Sequence, residues 1–309
     1  DEAFLCFSRM NALMKSSSEF VKCKPEKYFQ NIKSVPEKLK IISERKKNRH
    51  AVEDLHFNPV FLVGFPRSGT TLLDTVLRSH SKIAVVEERP AINVTKRFFQ
   101  SNGYKDTVAN PLPDALLEEG RKIYKAEFDR HLEGTDLTSV YIDKLPLNIV
   151  EAPLIHKLYP NSKFIFALRH PLDSILSCWM QNFKLNAAMA NMVDLNRIVE
   201  FYCISMEIFK ICRHSYNLSV HEIRYEDLVE NLQFQTTSLL GFLDLRWEKN
   251  MTNYKDTAKK RGKINTPSYS QVVQPIYRDA TFRWLKYESY LTKYLDQISP
   301  WLEEFGYSK

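Results

Sequence analysis

The sequence predicts an α/β fold in which a three-layer parallel sheet is flanked by helices and preceded by a short helical N-terminal segment. Two apolar runs, at 60–63 and 164–168, have the composition of strands buried on both faces, as the strands of parallel sheets are. Each run is followed by a turn and then by a segment whose apolar residues recur at helical spacing. Strand–turn–helix units of this kind build parallel sheets covered by helices.

The other elements follow from the same patterns, taken in chain order. Apolar spacing predicts helices over 1–50, and short apolar runs predict strands at 83–86 and 221–225. The remaining expectations are a polar helical region over 93–130 broken at 110–113, a helix from Pro146 to Leu158, helices near 172–180 and 194–215, and an amphipathic helix from Thr281 that stops at Pro300.

Composition excludes several classes of protein. With 309 residues, of which 44% are hydrophobic and 26% charged, the chain is neither disordered nor collagen-like. Its apolar runs are too short to span a membrane, so no transmembrane segment is predicted. The five cysteines show no CxxC spacing, which argues against a zinc site and favours a reducing compartment. We therefore expect a cytoplasmic location.

The net charge of +7 is concentrated in one segment. Residues 22–49 hold ten Lys and Arg against three Asp and Glu, an excess equal to that of the whole chain. The segment lacks a nucleic-acid-binding motif, so no nucleic-acid partner is expected. Two interpretations stay open: a solvated helix face or linker, and a docking surface for an acidic partner.

The first residues, Asp1-Glu2-Ala3-Phe4, include neither an initiator Met nor a basic leader, so no signal peptide is visible. Because the start is abrupt, we expect that a longer parent chain has been trimmed. A leader or anchor could have been removed with it.

The most informative stretch is 64–71, Gly-Phe-Pro-Arg-Ser-Gly-Thr-Thr. A glycine-framed turn between a buried strand and a helix exposes N–H groups at the positive end of the helix dipole, and such a nest binds phosphate-like anions. The spacing matches the P-loop pattern GxxxxGK[ST], except that Thr70 stands where the lysine belongs. Arg67 can supply the missing cation. The predicted sheet is therefore P-loop-like, and its loop suits a 5′-phosphosulfate without a metal better than ATP or GTP with Mg²⁺.

Two motifs resemble the donor site of sulfotransferases that use 3′-phosphoadenosine 5′-phosphosulfate (PAPS). Residues 63–71 resemble their 5′-phosphosulfate loop, and 168–171 together with Ser177 resembles their 3′-phosphate element. The chemistry is consistent, because Arg169 can fork onto a dianionic phosphate and two helical turns bring Ser177 back toward it. Four further stretches narrow the resemblance to tetratricopeptide-repeat sulfotransferases and tyrosylprotein sulfotransferases: 143–146, 159–164, 224–228 and 274–278.

The resemblance covers about 58–287 and implies a sulfotransferase domain over 56–309. The preceding segment, 1–55, then resembles the end of a helical-repeat region. The implied reaction moves a sulfuryl group from PAPS to an acceptor hydroxyl and gives a sulfate ester and 3′,5′-ADP. Peptide tyrosine is one implied acceptor, and glycans, lipids and small alcohols stay open. A eukaryotic tyrosylprotein-type enzyme with a removed anchor would instead be found in the Golgi lumen.

The resemblance also implies a role for each site residue. Glu88 matches the proposed base, Lys144 matches the lysine on the bridging oxygen and leaving phosphate, and Arg67 would bind the sulfuryl oxygens. The implied donor-binding residues are Arg67, Ser68, Gly69, Thr70, Thr71, Arg169, Ser177 and Tyr225. No metal ligand is implied. One departure is Pro90, which stands where the family has an arginine near the acceptor.

Alternatives stay open at the position of the base. Glu87 could hold this role in place of Glu88, and Lys144 could instead form an ion pair with its neighbour Asp143. His80 and His170 are further candidate bases, since cytosolic sulfotransferases use histidine. We expect both to be structural, because His80 lies about three turns along a helix from the loop and His170 follows the predicted 3′-phosphate arginine.

Alternatives also stay open for the function. The basic run at 259–263 either closes over the 3′-phosphate or is a solvated loop. A P-loop kinase or nucleotidase with a variant loop would bind ATP with Mg²⁺. A non-catalytic nucleotide-binding scaffold would bind the nucleotide and transfer nothing.

Overall fold

The computed structural model describes residues 2–45, 55–132, 138–260 and 281–308. Within them, five parallel strands form one sheet in the order β2-β3-β1-β4-β5. The strands are β1 (Val60–Gly64), β2 (Ile83–Glu87), β3 (Val140–Lys144), β4 (Lys163–Leu168) and β5 (Ser219–Arg224). The predicted parallel α/β sheet is confirmed. Because all strands run the same way, their carboxyl ends meet at one edge, with β1 at the centre.

Fifteen α-helices surround this sheet in the part of the chain that the structure describes. They are α1 (Glu2–Lys15), α2 (Ser18–Cys23), α3 (Pro25–Lys33), α4 (Val35–Arg45), α5 (Thr70–Leu77), α6 (Ala91–Ser101), α7 (Asp114–Asp129), α8 (Ala152–Leu158), α9 (Pro171–Trp179), α10 (Leu195–Tyr216), α11 (Tyr225–Glu230), α12 (Leu232–Phe242), α13 (Tyr254–Lys260), α14 (Glu288–Leu291) and α15 (Leu295–Glu304). Short 3₁₀ helices occupy Pro146–Glu151, Met189–Val193, Lys249–Asn253, Arg283–Tyr287 and Thr292–Tyr294. Among the described helices, none has the length and apolarity needed to cross a bilayer.

Alternation along the strands produces two apolar layers, one on each face of the sheet. In β4, Phe164, Phe166 and Leu168 pack into the larger layer, together with the long helix α10. Ile165 and Ala167 point to the other face and pack into the layer that holds α5 and α12. The three-layer arrangement therefore follows from a strand that is apolar at the five successive positions from Phe164 to Leu168.

The N-terminal helices share the larger apolar layer. Phe29 on α3 packs edge-on against Phe201 of α10, with ring centroids 6.3 Å apart. Phe4 on α1 lies 4.3 Å from the Trp179 ring, and Asn11 donates a hydrogen bond to the Trp179 carbonyl at 2.9 Å. The helical segment thus packs on the sheet domain, and the division of the chain at 55/56 stays a prediction.

The predicted end of the chain needs correction. In place of one amphipathic helix from Thr281, the structure has alternating 3₁₀ and α turns, and Pro300 lies inside α15 instead of stopping it. Because proline has no backbone N–H, one hydrogen bond is missing, the one to the carbonyl four residues earlier in the first turn of the helix. Ile298 and Leu302, one on each side of Pro300, are fully buried, and this packing continues the helix to Glu304.

Candidate active site

The loop between β1 and α5 has a backbone that only certain residues tolerate. Gly69, the N-cap residue just before α5, has a φ of 89°, and a Cβ at this position would lie 2.6 Å from Cδ2 of Tyr225. Gly64 ends β1, and a Cβ there would lie 2.5 Å from the carbonyl oxygen of Ala167. Arg67 also has a positive φ, 72°, which is costly for a residue with a side chain. This loop is held in a strained, closely packed shape, as many functional loops are.

The hydroxyls of this loop are buried at the N-terminal end of α5. Ser68, Thr70 and Thr71 are all buried, and the Ser68 hydroxyl finds no hydrogen-bond partner among the described residues. A buried polar group without a partner is costly unless a ligand or water completes it. Together with the positive end of the helix dipole, the orphaned hydroxyl makes the loop suited to an anion.

Arg169, directly after β4, is anchored beside this loop. Its Nη1 donates to the carbonyl oxygen of Arg67 at 3.1 Å, and its guanidinium lies 5.2 Å from the centre of the Tyr225 ring. Nη2 lies 3.7 Å from Oδ2 of the buried Asp173. The Arg67 side chain in turn donates through Nε to Oγ of Ser177 at 3.1 Å. These contacts join the two predicted donor motifs into one group, termed here the anion cradle (Arg67, Ser68, Arg169, Ser177).

A second group lies on the other side of β1, where β2 and β3 end. Lys144 is fully buried, and its Nζ lies 2.9 Å from Oε1 of Glu87 and 2.9 Å from Oε1 of Glu88. The strand register explains the first contact, since Glu87 is the β2 partner of Lys144. Glu88 would point to the opposite face in a continued strand. Its φ of 50° breaks the alternation and brings both carboxylates to one ammonium.

Asp74 on α5 completes this second group, termed here the lysine corner (Asp74, Glu87, Glu88, Lys144). Asp74 is fully buried and pairs with Arg78. Burial by itself lowers the pKa of Lys144. The negative charges of Glu88, Glu87 and Asp74 raise this pKa by more than burial lowers it, so the net pKa is raised. The buried ammonium therefore keeps its charge.

The alternative prediction, an ion pair between Lys144 and Asp143, is wrong. Asp143 points to the opposite face of β3, where its Oδ2 accepts a hydrogen bond from the Tyr124 hydroxyl at 2.8 Å. Asn148 donates to its Oδ1 at 3.5 Å. Burial raises the pKa of Asp143 to about 7. Neighbouring residues of a strand face opposite sides, so the acid next to a lysine in sequence is not its partner.

Both histidines lie in structural surroundings. His80 accepts a hydrogen bond from the Lys82 N–H at Nδ1, 3.1 Å away, so its Nε2 donates to the Arg246 carbonyl at 2.9 Å. His170 is fully buried, and burial lowers the pKa of its ring to about 4.

Sequence reasoning did not single out two buried acids, Asp74 and Asp173. Both lie on helices next to the carboxyl edge of the sheet, and each faces a predicted functional cation. The available signal is an aspartate on the apolar face of a short helix, at i+4 from Thr70 and from Arg169. Two predicted features, the side chains of the basic run at 259–263 and the stretch 274–278, lie outside the described residues.

Comparison with known proteins identifies the family. The profile of the sulfotransferase family matches residues 59–249, which includes both the lysine corner and the anion cradle. An uncharacterized protein of Aquifex aeolicus is 30% identical over 77% of this chain, and the chain spans only 32% of that protein's length. Protein-tyrosine sulfotransferase 1 of Danio rerio is 24% identical over 80% of this chain and 72% of its own length.

A solved structure, the sulfotransferase domain of the Synechococcus PCC 7002 olefin synthase, aligns with 77% of this chain and 91% of its own, at 20% identity and a TM-score of 0.48. The family assignment does not depend on this alignment, because the profile alone matches more than half of the chain. The chain belongs to the sulfotransferase family, and its relatives include protein-tyrosine sulfotransferases.

Proposed function

We propose that this chain transfers a sulfuryl group from PAPS to the phenol of a peptide tyrosine, giving a tyrosine sulfate ester and 3′,5′-ADP. One observation carries the proposal: a fully buried lysine, shared by two adjacent glutamates, lies next to the anion-binding loop. Lys144 pairs across the sheet with Leu62, two residues before the glycine that ends β1. This arrangement supports proton removal and charge stabilisation at one place.

The residues of the anion cradle fit such a donor. The Ser68 hydroxyl without a partner, the N-terminus of α5, and Thr70 and Thr71 would hold the 5′-phosphosulfate. Arg169 and Ser177 would hold the 3′-phosphate, and the Tyr225 ring would lie beside the nucleotide. PAPS supplies an activated sulfuryl group when bound.

In this proposal Glu87 and Glu88 have different roles. The side chain of Glu88 is 33% exposed and that of Glu87 is 6% exposed, so Glu88 is the carboxylate that an acceptor can reach. Glu88 takes the proton of the acceptor hydroxyl while the acceptor oxygen bonds to sulfur. At the same time the bond between sulfur and the oxygen that bridges to the 5′-phosphate breaks, and this oxygen leaves with 3′,5′-ADP. Glu87 keeps Lys144 charged while Glu88 is neutral. Lys144 and Arg67 offset the negative charge that builds on the leaving oxygen.

Two features support peptide tyrosine as the acceptor. The similar proteins from Danio rerio and Caenorhabditis briggsae are named protein-tyrosine sulfotransferases, the second one putatively. In addition, the ten basic residues of 22–49 would attract an acidic peptide. Glycans and small alcohols are the competing acceptors.

The test is transfer of labelled sulfate from PAPS to an acidic peptide that contains one tyrosine, with the same peptide carrying phenylalanine as control. We expect label on the tyrosine peptide only, one 3′,5′-ADP released per sulfate, and no effect of EDTA. Label on a glycan or alcohol but on neither peptide would contradict the acceptor and keep the reaction. Phosphate transfer from ATP with Mg²⁺ would instead establish a kinase, and donor binding without any transfer would establish a scaffold.

A further inference from the structure

The residues after 281 contact the turn that carries Arg169, although they lie outside the stretch that matches the family profile. The indole of Trp284 stacks on the ring of His170, with centroids 5.2 Å apart and 14° between the planes. Tyr307 meets the same ring edge-on, also at 5.2 Å. The stretch 282–307, termed here the C-terminal segment, thus encloses the residue that directly follows Arg169.

A first line of contacts leads from this segment to the guanidinium. The backbone N–H of Trp284 donates to Oδ1 of Asp173 at 2.8 Å. The other oxygen of Asp173 faces Nη2 of Arg169 at 3.7 Å. Because Asp173 is buried, its carboxylate depends on such partners: burial raises its pKa to about 6, and Arg169 opposes the rise. The Trp284 backbone therefore holds the acid that faces Arg169.

A second line leads to the backbone next to Arg169. The Tyr307 hydroxyl donates to Oε2 of Glu226 at 2.8 Å, and Oε1 of Glu226 accepts from the N–H of His170 at 2.9 Å. The Arg224 guanidinium lies 4.0 Å from the centre of the Tyr307 ring, and it also donates to the Gly306 carbonyl. Glu226 thus fixes the turn after β4 to the end of the chain.

We propose that the C-terminal segment positions Arg169, so that recognition of a 3′-phosphorylated nucleotide depends on residues outside the family match. This inference rests on the donor named under the proposed function. Trp284 and Tyr307 are positioning residues, since they act through Asp173 and Glu226. Loss of these contacts should weaken binding of the 3′-phosphate, and it should not change the affinity for the rest of the nucleotide.

The experiment measures by calorimetry, in EDTA, the affinities for 3′,5′-ADP and 5′-ADP of the full chain and of two tyrosine variants. Tyr307→Phe removes only the hydroxyl bonded to Glu226. Tyr294→Phe is its matched control, since Tyr294 lies in the same segment, is also 6% exposed, and loses a hydroxyl bond to Asn196 of 2.7 Å. We expect Tyr307→Phe to weaken 3′,5′-ADP binding about two- to tenfold. Binding of 5′-ADP should not change, and Tyr294→Phe should change neither affinity.

A second variant tests the first line of contacts. Asp173→Asn keeps an acceptor for the Trp284 N–H but removes the charge that faces Arg169. We expect the same selective loss, about tenfold, with a folded protein confirmed by its melting temperature. The ratio of the two nucleotide affinities is the decisive readout, because a general loss of structure would lower both.

Three results would overturn the inference: equal losses for both nucleotides, no loss in Tyr307→Phe and Asp173→Asn, or an equal loss in Tyr294→Phe. A wrong assignment of PAPS as the donor would give a different result. In that case the unsubstituted chain itself would bind 3′,5′-ADP no better than 5′-ADP, before any variant is compared.

Discussion

The lysine corner and the anion cradle lie on opposite sides of β1 and are built differently. In the lysine corner each charge has a partner within the protein: three carboxylates surround Lys144, and Arg78 pairs with one of them. In the anion cradle, Arg169 faces the carboxylate of Asp173, Arg67 donates to the Ser177 hydroxyl, and the Ser68 hydroxyl lacks a partner among the described residues. A network of paired charges suits a site that exchanges protons, and a cluster of hydrogen-bond donors suits a site that binds an anion.

This difference has a physical origin in burial. Lys144 is fully buried, and a buried ammonium needs carboxylates of its own before any substrate arrives. In the anion cradle, the Arg169 guanidinium contacts the Arg67 carbonyl and the Tyr225 ring, and the Arg67 side chain donates to the Ser177 hydroxyl. These neutral groups orient the two guanidinium groups without cancelling their charge. We therefore expect substitutions of Glu88 and Lys144 in the lysine corner to change turnover, and substitutions of Arg169 and Ser177 in the anion cradle to change nucleotide affinity.

The largest expected effect follows from removing the exposed carboxylate of the lysine corner. Glu88→Gln should lower turnover by about 10²- to 10⁴-fold, because the amide cannot accept the proton, while affinity for 3′,5′-ADP stays the same. Steady-state transfer and calorimetry measure the two quantities. Glu151→Gln, which loosens the ion pair with Lys96, is the matched control and should keep wild-type turnover. Unchanged turnover in Glu88→Gln would remove Glu88 from the mechanism.

The next effect concerns the anion cradle. Arg169→Lys should weaken binding of 3′,5′-ADP about 10- to 100-fold, since a lysine cannot form the two parallel hydrogen bonds of a guanidinium. The affinity for 5′-ADP should change little. Arg121→Lys is the control, because Arg121 donates through Nε to the Leu158 carbonyl. Equal weakening of both nucleotides would contradict a role for Arg169 at the 3′-phosphate.

A smaller effect separates steric contact from backbone strain in the loop. Gly69 and Gly103 have nearly the same φ, 89° and 92°, but an added Cβ would meet neighbouring atoms at Gly69 and open space at Gly103. Both alanine variants should lose about 1 kcal/mol of unfolding free energy to strain. Gly69→Ala should lose more, since the Tyr225 ring must move, and it should also bind 3′,5′-ADP less tightly. Equal unfolding free energies of the two variants, measured with urea, would show that the Tyr225 ring moves aside without a loss of stability.

The last expected effect concerns pH. Burial raises the pKa of Asp143 to about 7, so between about pH 4 and pH 7 the folded chain keeps a proton that the unfolded chain has released. Stability contributed by this group is present at low pH and is lost as the pH rises through that window. Urea unfolding at pH 5 and pH 7.5 should therefore show a smaller loss of stability in Asp143→Asn than in the unsubstituted chain. Asp129→Asn, an exposed aspartate paired with Lys125, should leave the slope unchanged.

Sequence reasoning found most of the fold, since strong local signals exist for it. The apolar run of β4 and the glycine-framed loop after β1 each have one physical interpretation. The same reasoning was wrong at Pro300, where packing of Ile298 and Leu302 outweighs the missing donor. It was also uncertain about Lys144, because the choice between Asp143 and the glutamates depends on which face of β3 the lysine occupies.

By itself, the sequence determined the chemical groups: a loop able to bind an anion, an arginine and a serine eight residues apart, and a lysine at a strand end. These signals are local, since they depend on spacing along the chain. Only the tertiary structure decided the partners. Strand register placed Glu87 beside Lys144, the left-handed backbone at Glu88 added the second carboxylate, and the C-terminal segment reached Asp173 and Glu226 across more than eighty positions of sequence. Such contacts depend on how distant elements pack, which spacing along the chain does not specify.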